Sequence, residues 1–381
     1  MGAIMAITAI GAIPALAATT PKVGTPCSTR DLGKTVSAAG RVPVACIKSG
    51  KTATWQRAAA SATTTAPEAT NKPMSTTFDP YAGTRPGTTP IGRRTEGRIT
   101  TPDGRSRHYR LYVPDALPTT GAAPLLIALH GGLGTAAQFE ANSGFDDLAE
   151  ANTFIVAYPD GIGNQPDGSG LQTWNGGYCC GPAATRNVDD VGFVRQLIDT
   201  LVARWPVDPT RIYAAGHSNG GILAYRLACE LSDKIVAIGV QAGSNVVDGC
   251  SPSSPVSVLH IHGTADTNMP ITGGRGSGLS ATIFRSARSA VDALAAANGC
   301  TLAPSVASDP SNADVSALTW SSCTSAVAVR YIVVNGATHA WMGHPAQSAG
   351  ASTFVGDPYP HLDASRAIWS FLAAHPRRPG P

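Results

Sequence analysis

Charge is scarce in this chain. Lys and Arg number 28 and Asp and Glu 25 among 381 residues, a formal net charge of +3. No long Lys/Arg run appears, which argues against a nucleic-acid partner, and the Arg377-Arg378 pair reads as a solvated tail. The apolar segment at residues 3–18 is short for a bilayer and is interrupted by Pro14, so no stable membrane span is expected. No C-x-x-C pair occurs among the eight cysteines, which disfavours a zinc site.

What is present points to export. The 3–18 segment ends in small residues, with Ala15-Leu16-Ala17 offering an A-x-A cleavage site. Residues 1–18 are therefore expected to be a secretory signal, although no Lys or Arg precedes the apolar run, and the protein is expected to be extracellular. An even number of cysteines suits an oxidising compartment. Proximity suggests Cys27–Cys46 and Cys300–Cys323. The pairing of Cys179, Cys180, Cys229 and Cys250 stays open.

Composition divides the chain. Residues 22–56 form a small unit that one disulfide would stabilise by about 3 kcal/mol, either a spacer or a contact to cell wall or polymer. Residues 57–90 are rich in Ala, Thr, Ser and Pro and read as a linker. Residues 91–378 alternate strand and helix signals. Arg98 to Thr101 and His108 to Val113 flank the turn sequence Pro102-Asp-Gly-Arg105 and predict an antiparallel hairpin. Near-continuous apolar runs follow at 124–129, 153–158, 211–215, 235–240, 256–261 and 327–334. Helical patterns fall at about 135–150, 190–204, 219–231, 282–298 and 363–374. The pattern predicts an α/β fold, with a mostly parallel sheet covered by helices on both faces.

Gly216-His-Ser-Asn-Gly220 stands between the run ending at Ala215 and the helix from Gly221. Strand, G-x-S-x-G turn and helix make a nucleophile elbow, with Ser218 as nucleophile. A serine hydroxyl needs a base held in one orientation. His339 follows an apolar run through Asn335-Gly-Ala-Thr and is the expected base. Asp266 follows another run and is the expected acid. Asp189 and Asp190 are rivals, but they precede the serine and open a helix, where capping explains them. Oxyanion donors are expected from the amide of Asn219 and from the His130-Gly131-Gly132 loop, with Gly132 ahead of Gly131. His260-Ile-His262 invites a metal reading, but Thr264 breaks the H-x-H-x-D-H pattern. No metal and no cofactor are expected.

Ordered blocks carry a resemblance. Leu129-His-Gly-Gly132, Tyr158-Pro-Asp-Gly161, Trp174-Asn175, Cys179-Cys180-Gly181, Gly216 to Gly221, His260 to Asp266 and His339-Ala-Trp341 are similar to an exported esterase family. That family groups polyhydroxybutyrate depolymerase-like enzymes with feruloyl and acetylxylan esterases. The resemblance implies an α/β-hydrolase fold, the triad Ser218, Asp266 and His339, and an ester substrate, possibly polymeric. Polyester-cleaving members commonly carry cysteine where this chain has Gly132, which favours feruloyl or acetyl esters over hydroxyalkanoates. Trp174, Tyr178 and Trp341 are candidates to stack on an aromatic acyl group. Alternatives are a polyhydroxybutyrate depolymerase proper, a mycolyltransferase-like cell-wall acyltransferase, or a cell-wall binding protein with an idle triad.

Overall fold

The structure is a computed structural model. It describes residues 92–377, apart from 118–120, 166, 279–281, 325–326 and 346–350, together with three strands nearer the N-terminus. The expected signal at 1–18, the linker beyond Arg57 and the expected Cys27–Cys46 pair lie outside the described residues. The chain divides into two compact units, 1–74 and 75–381.

In the first unit, β1 (Thr35–Val36), β2 (Val44–Ser49) and β3 (Thr52–Arg57) form an antiparallel sheet in that order. In the second, the chain runs through β4 (Arg93–Thr100), β5 (Ser106–Val113), β6 (Ala123–Leu129), α1 (Ala136–Ser143), α2 (Phe145–Asn152) and β7 (Ile155–Pro159). Next come α3 (Gly181–Thr185), α4 (Asp190–Arg204), β8 (Val207–His217), α5 (Asn219–Glu230), β9 (Ala237–Gln241) and β10 (Ser257–Gly263). The short pair β11 (Gly274–Arg275) and β12 (Ile283–Phe284) precedes α6 (Ala287–Ala297). The chain closes with β13 (Ser305–Asp309), β14 (Asn312–Trp320), β15 (Val329–Val334), α7 (Ala351–Val355) and α8 (Ala364–Ala373).

Ten strands make one sheet in the order β13-β14-β15-β10-β9-β8-β6-β7-β5-β4. The six strands from β7 through β6, β8, β9 and β10 to β15 pair in parallel. Antiparallel hairpins flank them on both sides. Every residue of β6, β7, β9 and β10 is buried, which is why those segments read as unbroken apolar runs. One face packs on α4, α5 and α6 through residues such as Phe193, Leu223 and Val291. The other packs on α1, α2 and α8 through Phe139, Phe145 and Ile368. This is the α/β-hydrolase fold, as expected.

The differences are local. The helix expected at 135–150 is two helices, because Gly144 turns the chain with φ +70°. Strand β13 carries no continuous apolar run, since its first four residues are exposed at the sheet edge. Among the described residues, disulfides join Cys179 to Cys180, Cys229 to Cys250 and Cys300 to Cys323.

Candidate active site

The six parallel strands end on one edge of the sheet, and the loops after β6, β8, β10 and β15 meet there. At the end of β8 the chain turns sharply into α5. Ser218, the N-cap, has φ +52° and ψ −117°, a backbone position that costs energy for a residue with a side chain. Glycine flanks it by necessity: a Cβ at Gly216 would drive into the Gly220 carbonyl, and one at Gly220 into the carbonyls of Leu129 and His130. The Ser218 N–H is tied to the Gln241 carbonyl at 2.9 Å. The hydroxyl is left facing outward, partly exposed.

The loops after β10 and β15 carry the carboxylate and the imidazole. They touch directly, since Thr264 N–H donates to Val334 O at 3.0 Å and Ala265 N–H to Ala337 O at 3.0 Å. Gly263 permits this, because a Cβ there would overlap the Ala337 carbonyl. His339 Nδ1 lies 2.7 Å from Asp266 Oδ2, and its Nε2 lies 2.8 Å from Ser218 Oγ. A carboxylate only accepts, so Nδ1 carries the hydrogen and Nε2 is left to accept the serine proton. The structure thus brings Ser218, His339 and Asp266 into one hydrogen-bonded line.

Asp266 is buried, and burial by itself pushes its carboxyl up. The charge of His339 and hydrogen bonds from His262 and His339 outweigh this and hold it well below the ordinary carboxylate range. Its Oδ1 also accepts from Asn268 N–H at 2.9 Å and Met269 N–H at 2.8 Å.

The loop after β6 lies beside the serine. His130 Nε2 accepts from Gly161 N–H at 3.0 Å, so Nδ1 is the protonated nitrogen and donates to Gly131 O at 2.7 Å. Gly134 N–H reaches the same oxygen at 3.1 Å. In a trans peptide the N–H opposes the C=O, so these bonds aim the Gly132 N–H away from His130. A Cβ on Gly131 would lie 3.6 Å from Ser218 Cβ, and one on Gly132 would lie 3.5 Å from Asn219 Cβ. Asn219 opens α5, so its N–H has no partner one turn back within the helix. Its side chain clamps the Trp174 peptide at both ends, accepting at 2.7 Å and donating at 3.0 Å.

Two expected substrate contacts are corrected. Trp174 has no exposed surface, its Nε1 donates to His130 O at 2.9 Å, and its ring lies against His130. Trp341 is 4% exposed, packs edge-on against Phe139 and Phe145, and donates to Ser365 Oγ at 3.0 Å. Both rings are packed into the interior and offer no open face for stacking. Tyr178 is 51% exposed and remains available.

Asp189 caps α4 through Gly192 N–H. Asp190 is fully buried against Arg107 at 2.6 Å and accepts from Asn175 N–H at 2.7 Å, so it braces the Trp174–Asn175 loop. Sequence reasoning missed Arg107, and equally His217 and Gln241, which hold the loop of His339. His217 Nε2 meets His339 O at 2.7 Å, while Gln241 bonds Ala340 O at 2.8 Å and Met342 N–H at 2.9 Å. A cavity of about 590 Å³ lies elsewhere, between the α1–α2 corner and residues 343–345 and 360–366.

Residues 101–285 match the model of a family described as putative esterase. Feruloyl esterase B of Piromyces equi is 34% identical over 238 residues, 60% of this chain and 41% of that protein. The putative esterase NocK of Nocardia uniformis subsp. tsuyamanensis is 33% identical over 198 residues, 49% of this chain and 54% of that one. Poly(3-hydroxyalkanoate) depolymerase C of Paucimonas lemoignei is 31% identical over 132 residues, 35% of this chain and 30% of that one. The chain spans about half or less of the length of these relatives. The resemblance to feruloyl esterases and polyhydroxybutyrate depolymerase-like enzymes is borne out.

Proposed function

We propose that this chain, whose residues 101–285 match the putative-esterase family, is an exported serine carboxylesterase acting through Ser218, His339 and Asp266. One observation carries the reading: the unbroken line of 2.8 Å and 2.7 Å contacts from Ser218 Oγ through His339 to Asp266, on a strained elbow. His339 Nε2 takes the hydroxyl proton as Oγ attacks the ester carbonyl. Asp266 holds the imidazole in the required tautomer and stabilises the imidazolium that forms. The N–H groups of Asn219 and Gly132 receive the charge that develops on the carbonyl oxygen, with Gly131 shaping the loop. His339 then returns the proton to the leaving alcohol, and water, deprotonated by the same nitrogen, releases the acid from the acyl-enzyme.

The substrate class is a feruloyl or acetyl ester on a polysaccharide. Two relatives are named for such chemistry, feruloyl esterase B and a bifunctional acetylxylan esterase/xylanase. Exposed Tyr178 offers an aromatic face for such an acyl group. Three disulfides among the described residues support an oxidising, extracellular setting. The test is turnover of methyl ferulate, acetylated xylan and polyhydroxybutyrate film, with fluorophosphonate labelling of Ser218. The reading requires labelling and hydrolysis of at least one of the first two. Release from the film alone would replace the substrate class, and absence of labelling would remove the mechanism.

A further inference from the structure

Behind the carboxylate lies a second hydrogen-bonded line that the mechanism above does not use. His262 Nε2 is 2.8 Å from Met269 O and 3.3 Å from Asp266 Oδ2. Its Nδ1 is 2.9 Å from His260 Nε2, and His260 Nδ1 is 2.7 Å from the Tyr225 hydroxyl. The two imidazoles, two residues apart on β10, point to the same face and stack with an interplanar angle of 10°. Tyr225 comes from α5, the helix that begins at Ser218. Tyr225, His260 and His262 are all 0% exposed.

The hydrogens in this line are determined from one end. A carbonyl and a carboxylate both only accept, so His262 Nε2 must carry a hydrogen. With one hydrogen on its ring, His262 accepts at Nδ1, which makes His260 the donor from Nε2. His260 in turn accepts at Nδ1, and the Tyr225 O–H donates there. Burial, with His262 alongside, holds His260 well below the ordinary histidine range, in keeping with this neutral form. Every donor in the line points toward Asp266. Such aligned bonds polarise one another in a low-dielectric interior.

Packing alone does not call for these side chains. They stand on the face of β10 that also carries buried Val258, and the edge of Tyr331 meets the His260 ring. Apolar residues fill such a layer without the cost of desolvating three polar groups. The far end of the line is where the polarity is used. Met269 donates its N–H to Asp266 Oδ1 while its carbonyl receives His262. The imidazole therefore fixes the 266–269 turn and one carboxylate oxygen together.

We propose that His262 is a positioning residue for Asp266, aligned by His260 and Tyr225, and that it sets the carboxylate so that Oδ2 meets His339. The inference rests on the esterase reading. Its test is kcat per active site, with sites counted by fluorophosphonate titration so that misfolded protein does not enter the ratio. His262→Phe keeps a ring and loses both nitrogens; kcat per titrated site should fall about 10- to 100-fold, with KM within about twofold. His262→Gln restores an N–H near the Nε2 position and should recover most of the loss. Tyr225→Phe deletes one hydroxyl at the far end and should lower kcat about 3- to 10-fold.

An unchanged kcat per titrated site in His262→Phe would overturn the proposal, as would a loss carried by KM or a Gln variant no better than Phe. Should His262→Phe not fold, Tyr225→Phe decides, and an unchanged kcat there has the same force. A parent that neither labels nor hydrolyses esters defeats the esterase reading, and this inference with it. An active parent with unaffected variants defeats the inference alone.

Discussion

His217 Nε2 donates to the carbonyl oxygen of His339 at 2.7 Å, so the residue preceding the proposed nucleophile fastens the loop of the proposed base. The two rings lie 5.0 Å apart, with Trp341 edge-on to His217. A histidine inside the elbow is thus a brace between two strand ends, and burial keeps its ring neutral.

That neutrality gives a pH dependence. Burial first, then the neighbouring His339, holds His217 down to about 3. Burial likewise holds His130 down to about 4. Both folded values lie below the unfolded value of about 6.5, so the stability they contribute is complete above that pH. It is lost as pH falls toward the folded values, at about 1.4 kcal/mol per pH unit for each proton the unfolded chain takes up. Asp146, raised to about 6 chiefly by burial, works in the opposite sense between about 4 and 6. Urea unfolding at pH 7, 6 and 5 should therefore show a shallower decline for His217→Gln than for the parent. Parallel declines would refute the assignment.

Ser218→Ala should lower ester turnover by at least about 10³-fold. Its hydroxyl contacts His339 at the surface of the site, so the melting temperature should stay within about 2 °C. Retained turnover in that variant, measured with p-nitrophenyl acetate, would transfer the nucleophile elsewhere.

Tyr178→Ala and Trp174→Phe should separate contact from wall. The first should raise KM for methyl ferulate severalfold, with little change for p-nitrophenyl acetate. The second removes the Nε1 bond to His130 O beneath the Gly131–Gly132 loop and should lower kcat for both esters alike. An aryl-selective loss in Trp174→Phe would contradict its burial.

Removing Cys229–Cys250, which closes a separation of 21 residues between the end of α5 and the loop before β10, should cost about 3 kcal/mol. Chemical denaturation of the double alanine variant measures it. A loss below about 1 kcal/mol would mean that the unfolded chain is already constrained there.

The sheet was legible because its central strands are buried on both faces, which leaves the unbroken apolar runs at β6, β7 and β10. Ser218, His339 and Asp266 were legible for a related reason: each follows such a run, and parallel strands deliver their following loops to one edge. The braces were not. Arg107 and Asp190 are 83 residues apart, and nothing local marks them as partners. Trp174 and Trp341 sit beside diagnostic blocks, but a motif does not tell which way an indole turns. The placing of His260 and His262 two apart on one strand is visible in the sequence. The continuation of that pair to Tyr225 on one side and Asp266 on the other needed three elements in place.

The direct bonds from Thr264 and Ala265 to the strand-and-loop of His339 have a mechanical result. Carboxylate and imidazole ride on one segment fused by backbone bonds, whereas the serine's elbow is held to it by side-chain bonds from His217 and Gln241. Thermal breathing at this edge of the sheet will therefore part hydroxyl from imidazole before it parts imidazole from carboxylate. Warmed protein should fall silent with its acid and base still joined, and recover on cooling by a single closure.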